Sequence, residues 1–434
     1  MDRFKSDAPT SDLLLERMGK LHPKLIDLTL GRTQRLLAQL GNPQNRLGRV
    51  IHVAGTNGKG STIAFMAAIA KAMGLRVNTY TSPHLVRFHE RINLDGTPIA
   101  EELLAQILDQ CLTANGPDPI TYFEITTCAA FHAFAESPAD LTLIEVGLGG
   151  RYDATNVIDR PTATVITPVS MDHQHFLGNT LEAIAGEKAG IIKRNVPCVV
   201  GPQQDAALAV IEREASKARA PLIVFGQEFH ADEDQGRFAL QHEDGLYDLP
   251  LPALPGAHQI ENAATAIMAL NAAGIAPTEH QIADGLTQAQ WPGRLQDLKT
   301  HPFAKQLPVG STLTLDGGHN VAAAEALAAH LASTTDPRPL WLICGMMQTK
   351  DNQGFLQQLK PHIAGMVTVP IASGPTGPGL TAEALAEQAR QIDLNATPAP
   401  DARTALNQLP HAAPLRVLIC GSLYLAGEVL ALDN

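Results

Sequence analysis

The segment Val53-Ala54-Gly55-Thr56-Asn57-Gly58-Lys59-Gly60-Ser61 constrains this chain more than any other. An apolar β-type run, Arg49 to Ala54, leads into it, and a helical stretch begins near Ser61. Strand, glycine-rich turn and helix in that order belong to a parallel α/β sheet. The glycines let the backbone turn tightly and bring N–H groups close to phosphate oxygens. The helix N-terminus adds partial positive charge. Thr56, Asn57, Gly58 and Gly60 are therefore read as the phosphate cradle. Lys59 meets the outer phosphates, and Ser61 or Thr62 offers a hydroxyl to magnesium.

The rest of the chain repeats the alternation of β-type and Ala/Leu-rich helical runs. Arg76 to Tyr80, Leu141 to Val146 and Thr162 to Thr167 read as short buried strands, each followed by a polar loop. In parallel sheets ligands gather beyond the carboxyl ends of strands, so these loops should share one site. A second series follows Trp291-Pro292-Gly293, with strands expected at Thr312 to Leu315, Leu340 to Cys344, Gly365 to Pro370 and Leu415 to Cys420. Helices are expected at Leu181 to Ala189, Val321 to Leu331 and Thr381 to Arg390. A length of 434 residues exceeds one ordinary core. The fold class expected is α/β: an N-terminal phosphate-loop ATPase-type domain with a mostly parallel sheet, residues 1–296, and a smaller C-terminal Rossmann-like α/β domain, residues 297–434.

A net charge of −12 argues against broad attraction to nucleic acid or to an anionic membrane. No uncharged apolar run approaches the roughly 20 residues that span a bilayer. Met1 to Ser11 lacks the apolar centre of a secretory signal. The five cysteines are scattered and odd in number, which fits neither a disulfide framework nor a paired metal motif. The expected compartment is the reducing cytoplasm.

Three further segments close expected strands: Thr81-Ser82-Pro83-His84, Glu145-Val146-Gly147-Leu148-Gly149-Gly150-Arg151-Tyr152-Asp153, and Ser170-Met171-Asp172-His173. Magnesium takes hard oxygen ligands and keeps several waters, so one carboxylate with hydroxyls and phosphate oxygens suffices. Glu145 is the carboxylate expected there, with the hydroxyls of Ser61 and Ser82. Gly147 to Gly150 falls short of a dinucleotide fingerprint, because Tyr152 stands where the last glycine belongs. Asp172, His173 and His175 lack the supporting cysteine or histidine of a zinc site. In the second half, Arg294 of Trp291-Pro292-Gly293-Arg294 suits phosphate oxygens. Asp316 of Asp316-Gly317-Gly318-His319-Asn320 suits ribose hydroxyls, and Asn320 suits a helix cap.

The phosphate loop departs from the general pattern in two ways: Val53 replaces the first glycine, and Gly60 is inserted before Ser61. Both features resemble the Mur ligase superfamily, and the extra glycine resembles its folylpolyglutamate and dihydrofolate synthase branch. Glu187-Lys188-Ala189-Gly190-Ile191 resembles the segment whose lysine is carbamylated in that family. The resemblance implies that His173 and carbamylated Lys188 serve a second magnesium, and that Asn262, Arg294, Asp316 and His319 contact ATP. Asp27-Leu28-Thr29-Leu30-Gly31-Arg32 resembles the segment holding dihydropteroate, with Thr29 in place of a glycine. Phe123, Glu124, Ile125 and Thr126 resemble the pterin-pocket segment, as do Arg151, Tyr152 and Asp153.

The activity implied is an ATP-dependent amide ligase joining L-glutamate to dihydropteroate or tetrahydrofolate through an acyl phosphate. Lys59, His173, Lys188 and Arg294 would be its catalytic groups, in a monomer. Gly421-Ser422-Leu423-Tyr424 is a candidate for the glutamate side. The competing readings are a ligase acting on another carboxylate, a phosphate-loop kinase or ATPase, and a non-catalytic nucleotide-binding module.

Overall fold

The structure is a computed structural model that describes residues 10–24, 26–243, 245–371 and 377–432. The first nine positions of the segment read against a secretory signal lie outside the described residues. Among the described residues, an eight-stranded sheet is built from β1 (Arg49–Ala54), β2 (Val77–Tyr80), β3 (Ile92–Leu94), β4 (Thr97–Pro98), β5 (Leu141–Glu145), β6 (Ala163–Ile166), β7 (Cys198–Val200) and β8 (Leu222–Val224). Its order is β4-β3-β2-β5-β1-β6-β7-β8, with β3 and β4 antiparallel at one edge and the rest parallel. Alternate residues face opposite sides, as the period of a strand requires. Ile51, Val53, Leu143 and Val165 pack with the helices Lys59–Ala72, Ala257–Ala272 and Glu279–Gln288. Val50, Tyr80 and Ile144 pack with Glu101–Asn115 and Tyr122–Glu136. Burial on both faces explains why these strands are nearly unbroken apolar runs.

A three-stranded antiparallel meander, β9 (Phe229–Asp234), β10 (Arg237–His242) and β11 (Gly245–Pro250), interrupts the parallel pattern. Its buried face, Phe229, Phe238, Leu240 and Leu249, joins the core beside the Ala257–Ala272 helix.

The second sheet has six strands: β12 (Gln296–Asp297), β13 (Thr312–Leu315), β14 (Leu340–Cys344), β15 (Gly365–Thr368), β16 (Ala396–Pro398) and β17 (Arg416–Cys420). Their order is β12-β13-β17-β14-β15-β16, parallel except for the β12 edge. The expected β13 and β14 have the observed bounds, while β15 and β17 come out shorter at one end.

Candidate active site

Register places the chemistry. Val53 lies opposite Glu145 on one side and Val165 on the other, and Tyr80 lies opposite Ile144. The loops leaving the carboxyl ends of β1, β2, β5 and β6 therefore open side by side into one cleft of about 540 Å³. Loops after β13 and β14, together with the start of the Leu423–Ala431 helix, close it from the second sheet.

Gly58 caps the Lys59–Ala72 helix at φ +87°, in the left-handed region that glycine enters without strain. The Asn262 amide oxygen occupies the space that a β-carbon at Gly58 would need. Thr56 accepts the Ser170 N–H at 3.0 Å and donates to the Ser170 carbonyl at 3.1 Å, tying the loop to the segment after β6. Lys59 Nζ donates to the Thr56 carbonyl at 3.2 Å and stands 3.7 Å from Glu145 Oε1. The Ser82 N–H donates to Glu145 Oε2 at 3.0 Å. Burial pushes the Glu145 carboxyl up, opposed by Lys59 and the Ser82 amide.

Lys188 emerges from the last turn of the Leu181–Ala189 helix, which Thr180 caps and Gly190 ends. It is buried, and its Nζ donates to the Gly55 carbonyl at 2.9 Å. Burial, reinforced by the charge of Lys59, pushes its amine down to about 7. His173 follows β6 with φ +51°, and burial pushes its imidazole down to about 3. Beside it, Asp172 accepts Lys350 Nζ at 2.6 Å and the His173 N–H at 2.7 Å. Burial raises the Asp172 carboxyl, but Lys350, His173 and His319 together bring it well below the usual carboxylate range.

The second sheet contributes Asp316, whose carboxylate accepts the Leu295 N–H at 2.8 Å and the Gly318 N–H at 2.7 Å. Asp316 thereby fixes the Gly293–Leu295 turn that carries Arg294. Asn320 caps the Val321–Ser333 helix and exchanges two side-chain hydrogen bonds with Asn57 of the phosphate loop, at 3.1 and 3.0 Å. His319 Nδ1 lies 2.9 Å from the Gly317 carbonyl, and burial pushes the ring down to about 4.

The same cleft is also lined by Asp27, Leu28 and Thr29 and by Phe123, Tyr152 and Asp153. Phe123 stacks on Tyr80 with ring centroids 6.2 Å apart. Arg32 donates to the Asp27 carboxylate at 2.9 Å, to the Asp27 carbonyl at 2.7 Å and to Glu124 Oε2 at 2.8 Å. Asp153 is buried and accepts the backbone N–H groups of Leu148 and Thr155.

Against known proteins, the Mur ligase middle domain family matches residues 53–270, and the dihydrofolate synthetase C-terminal domain family matches residues 302–432. The dihydrofolate synthase/folylpolyglutamate synthase of Escherichia coli is 35% identical over 96% of this chain and 94% of its own. The chain belongs to this Mur ligase family. E. coli FolC in complex with DHPP and ADP superposes with a TM-score of 0.87 at 33% identity, covering 98% of this chain and 97% of that one. A bifunctional folylpolyglutamate synthase/dihydrofolate synthase solved with Mn, AMPPNP and L-glutamate superposes with a TM-score of 0.85 at 32% identity, covering 98% of each. The protein is thus an ATP-dependent ligase of the Mur type.

Most of the expected residues of this Mur ligase line the cleft: Thr56 to Ser61, Ser82, Glu145, His173, Lys188, Asn262, Arg294, Asp316 and His319. Others do not. Thr62 is fully buried and does not line the cleft, and its hydroxyl has no hydrogen-bond partner among the described residues. Leu30 precedes the Gly31–Gln39 helix and packs with the Ile125 cluster. Ile125 and Thr126 are fully buried, and the Thr126 hydroxyl donates to the Tyr122 carbonyl. Arg151 turns away to Glu187 and Glu214, at 3.6 and 3.7 Å. Glu124 reaches the cleft, yet its Oε2 already accepts the Thr121 N–H and hydroxyl and Arg32, so its carboxylate holds the wall together. Lys350 and Arg91 also line the cleft, and the sequence reading passed over both. Lys350 sits in the loop beyond β14, so the rule about carboxyl ends of parallel strands could have found it. Arg91 has no such signal.

Proposed function

We propose that this ligase joins L-glutamate in amide linkage to dihydropteroate, forming dihydrofolate, and extends tetrahydrofolate in the same way, with ATP cleaved to ADP and phosphate. One observation carries the reading: the phosphate loop with Lys59, the buried Glu145 and Lys188, and the Asp27–Thr29 and Phe123 segments all line a single cleft. A terminal phosphoryl group and an acceptor carboxylate would meet within it. The relatives solved with ADP and DHPP, and with AMPPNP and L-glutamate, support the same assignment.

In the first step the acceptor carboxylate oxygen bonds to the γ-phosphorus as the bond to ADP breaks, leaving an acyl phosphate. The glutamate amine then attacks the acyl carbon, loses a proton, and phosphate departs. Lys59 and Arg294 would hold the charge that gathers on the transferring group. Phe123 offers a π face to the flat pterin ring. The second domain excludes water that would otherwise hydrolyse the acyl phosphate. Residues 1–296 would carry nucleotide and acceptor, and residues 297–434 would close on them.

Glu145, Ser61 and Ser82 fit a magnesium ion: one buried carboxylate and hydroxyl-bearing side chains give few, hard donors and leave room for phosphate and water. Bound there, the ion would offset negative charge on the phosphates. His173 and a carbamate on Lys188 would hold a second ion. The neutral Lys188 amine adds to carbon dioxide with loss of a proton, and burial favours that neutral amine. The ligase would act as a monomer. No helix is long and apolar enough to cross a membrane among the described residues, and all five cysteines are free, in keeping with work in the cytoplasm.

The test supplies ATP, magnesium and glutamate with dihydropteroate or tetrahydrofolate in parallel. Mass spectrometry should find products heavier by one glutamyl unit with matching ADP. ADP release without a glutamyl product from either acceptor would defeat the assignment.

A further inference from the structure

We propose that Asp172 is a positioning residue through which docking of the second domain sets the place of His173, with Lys350 as its docking partner. The inference rests on the role of His173 given under the proposed function. Asp172 belongs to the loop after β6, and its carboxylate is met from the other domain on both oxygens. Lys350 Nζ donates to Oδ1 at 2.6 Å, Asn320 Nδ2 donates to Oδ2 at 3.2 Å, and His319 Nε2 lies 3.8 Å from Oδ2. From its own side Asp172 receives the His173 N–H on Oδ1 at 2.7 Å, and the His173 ring lies 3.9 Å from Oδ2.

The arrangement is buried, with the Asp172 and Lys350 side chains each only 8% exposed. Two charges removed from water need each other, because breaking such a pair leaves one of them buried and unpaired. Since Asp172 and Lys350 belong to loops of separate sheets, their contact exists only while the domains are docked. His173 has φ +51°, a left-handed conformation that a non-glycine residue keeps only when its surroundings impose it. The hydrogen bond from its N–H to the Asp172 carboxylate supplies part of that restraint. Asn320 links the same centre to Asn57, so the phosphate loop, the second domain and the His173 loop share one hydrogen-bonded junction.

The test compares Asp172→Asn, Lys350→Gln, the double variant and Lys350→Arg. Loss of a group that orients another should lower kcat about 10–100-fold, with KM for ATP near the wild-type value. The double variant should be no worse than the poorer single, since both remove one contact, and Lys350→Arg should recover much of the loss. Hydrogen exchange across residues 170–178 in nucleotide-free protein should quicken in both single variants, whatever the substrate is. If Asp172→Asn folds poorly, Lys350→Gln against Lys350→Arg decides through the same exchange. Unchanged exchange would overturn the proposal. So would a Lys350→Gln variant that raises KM for glutamate alone while Asp172→Asn does not, because Lys350 would then bind substrate. Wild-type protein that forms no glutamyl product defeats the functional reading, and exchange still judges the junction.

Discussion

Gly60 lies against the indole of Trp291, so closely that a β-carbon on Gly60 would stand 2.5 Å from ring atom Cζ2. The glycine inserted into the phosphate loop is thus a packing requirement, met from a segment more than two hundred positions away that also carries Arg294. Gly60→Ala should force Trp291 aside and disturb the Pro292–Arg294 turn. Overpacking of this kind costs about 1–3 kcal/mol, so the variant should melt earlier and show a raised KM for ATP. Trp291→Ala should itself destabilise, since that indole packs on the core, and the double variant should cost less than the two single changes summed, because the clash then has no partner. Titration with ATP and thermal unfolding of wild type and these variants would check this.

Glu124 should behave as a structural carboxylate first. It completes a capping box with Thr121 at the start of the Tyr122–Glu136 helix and pairs with Arg32. Glu124→Ala removes the reciprocal cap and leaves Arg32 with Asp27 alone. A cap is worth about 1 kcal/mol, and breaking a partly buried pair adds to that. Urea unfolding should show a loss of about 2–4 kcal/mol. The KM for the acceptor should rise, because the Asp27 loop loses its tie to the helix, while the KM for ATP stays put. A variant as stable as wild type would show that the carboxylate is free for ligand.

The sequence was most legible where burial on both faces leaves little choice. Thr312–Leu315 and Leu340–Cys344 are apolar runs inside a parallel sheet, and their bounds can be read directly. The meander was hidden because only one face of it is buried. Phe229 and Ala231 alternate with exposed His230 and Asp232, and the charged Glu233, Asp234 and Arg237 flank the Gln235-Gly236 turn between β9 and β10. In the site, the phosphate loop was legible because its chemistry is local, and Glu145 because it ends a strand. Lys350 follows a strand end and could have been picked out by that rule, but its pairing with Asp172, 178 positions away, could not, since only the docked domains bring them together. Thr121 and Glu124 show the opposite case: the capping-box spacing was present in the sequence, and the ligand reading passed over it.

Acid should weaken the fold through His52. This residue sits in β1, fully buried, with Nε2 2.8 Å from the Thr155 hydroxyl, and burial with the nearby charge of Lys193 pushes it from 6.5 down to about 3. Between those values the unfolded chain binds a proton that the folded chain refuses. Stability therefore falls as pH drops from 6.5 toward 3, by at most about 1.4 kcal/mol per pH unit for this one group. His52→Gln can keep a hydrogen bond to Thr155 and should flatten that part of the slope. Urea midpoints of both proteins at a series of pH values would check it, and parallel slopes would remove His52 from the account.

Lys188 should respond to pH in the opposite region. Its amine is pushed from 10.5 to about 7, so in the folded protein it becomes neutral as pH rises through 7, whereas in the unfolded chain it stays charged until near 10.5. In unmodified protein the unfolded state thus holds the extra proton between these values, and stability should rise with pH across that window. Carbamate formation needs the neutral amine and should follow the same direction. With ¹³C-labelled bicarbonate, a carbamate carbonyl resonance should grow as pH is raised through 7 and vanish on acidification. Lys188→Gln should show neither the resonance nor the stability slope. A wild-type protein active at pH 8 without the resonance would leave Lys188 as a plain buried amine, held by the Gly55 carbonyl and with no anionic charge to offer a second metal ion.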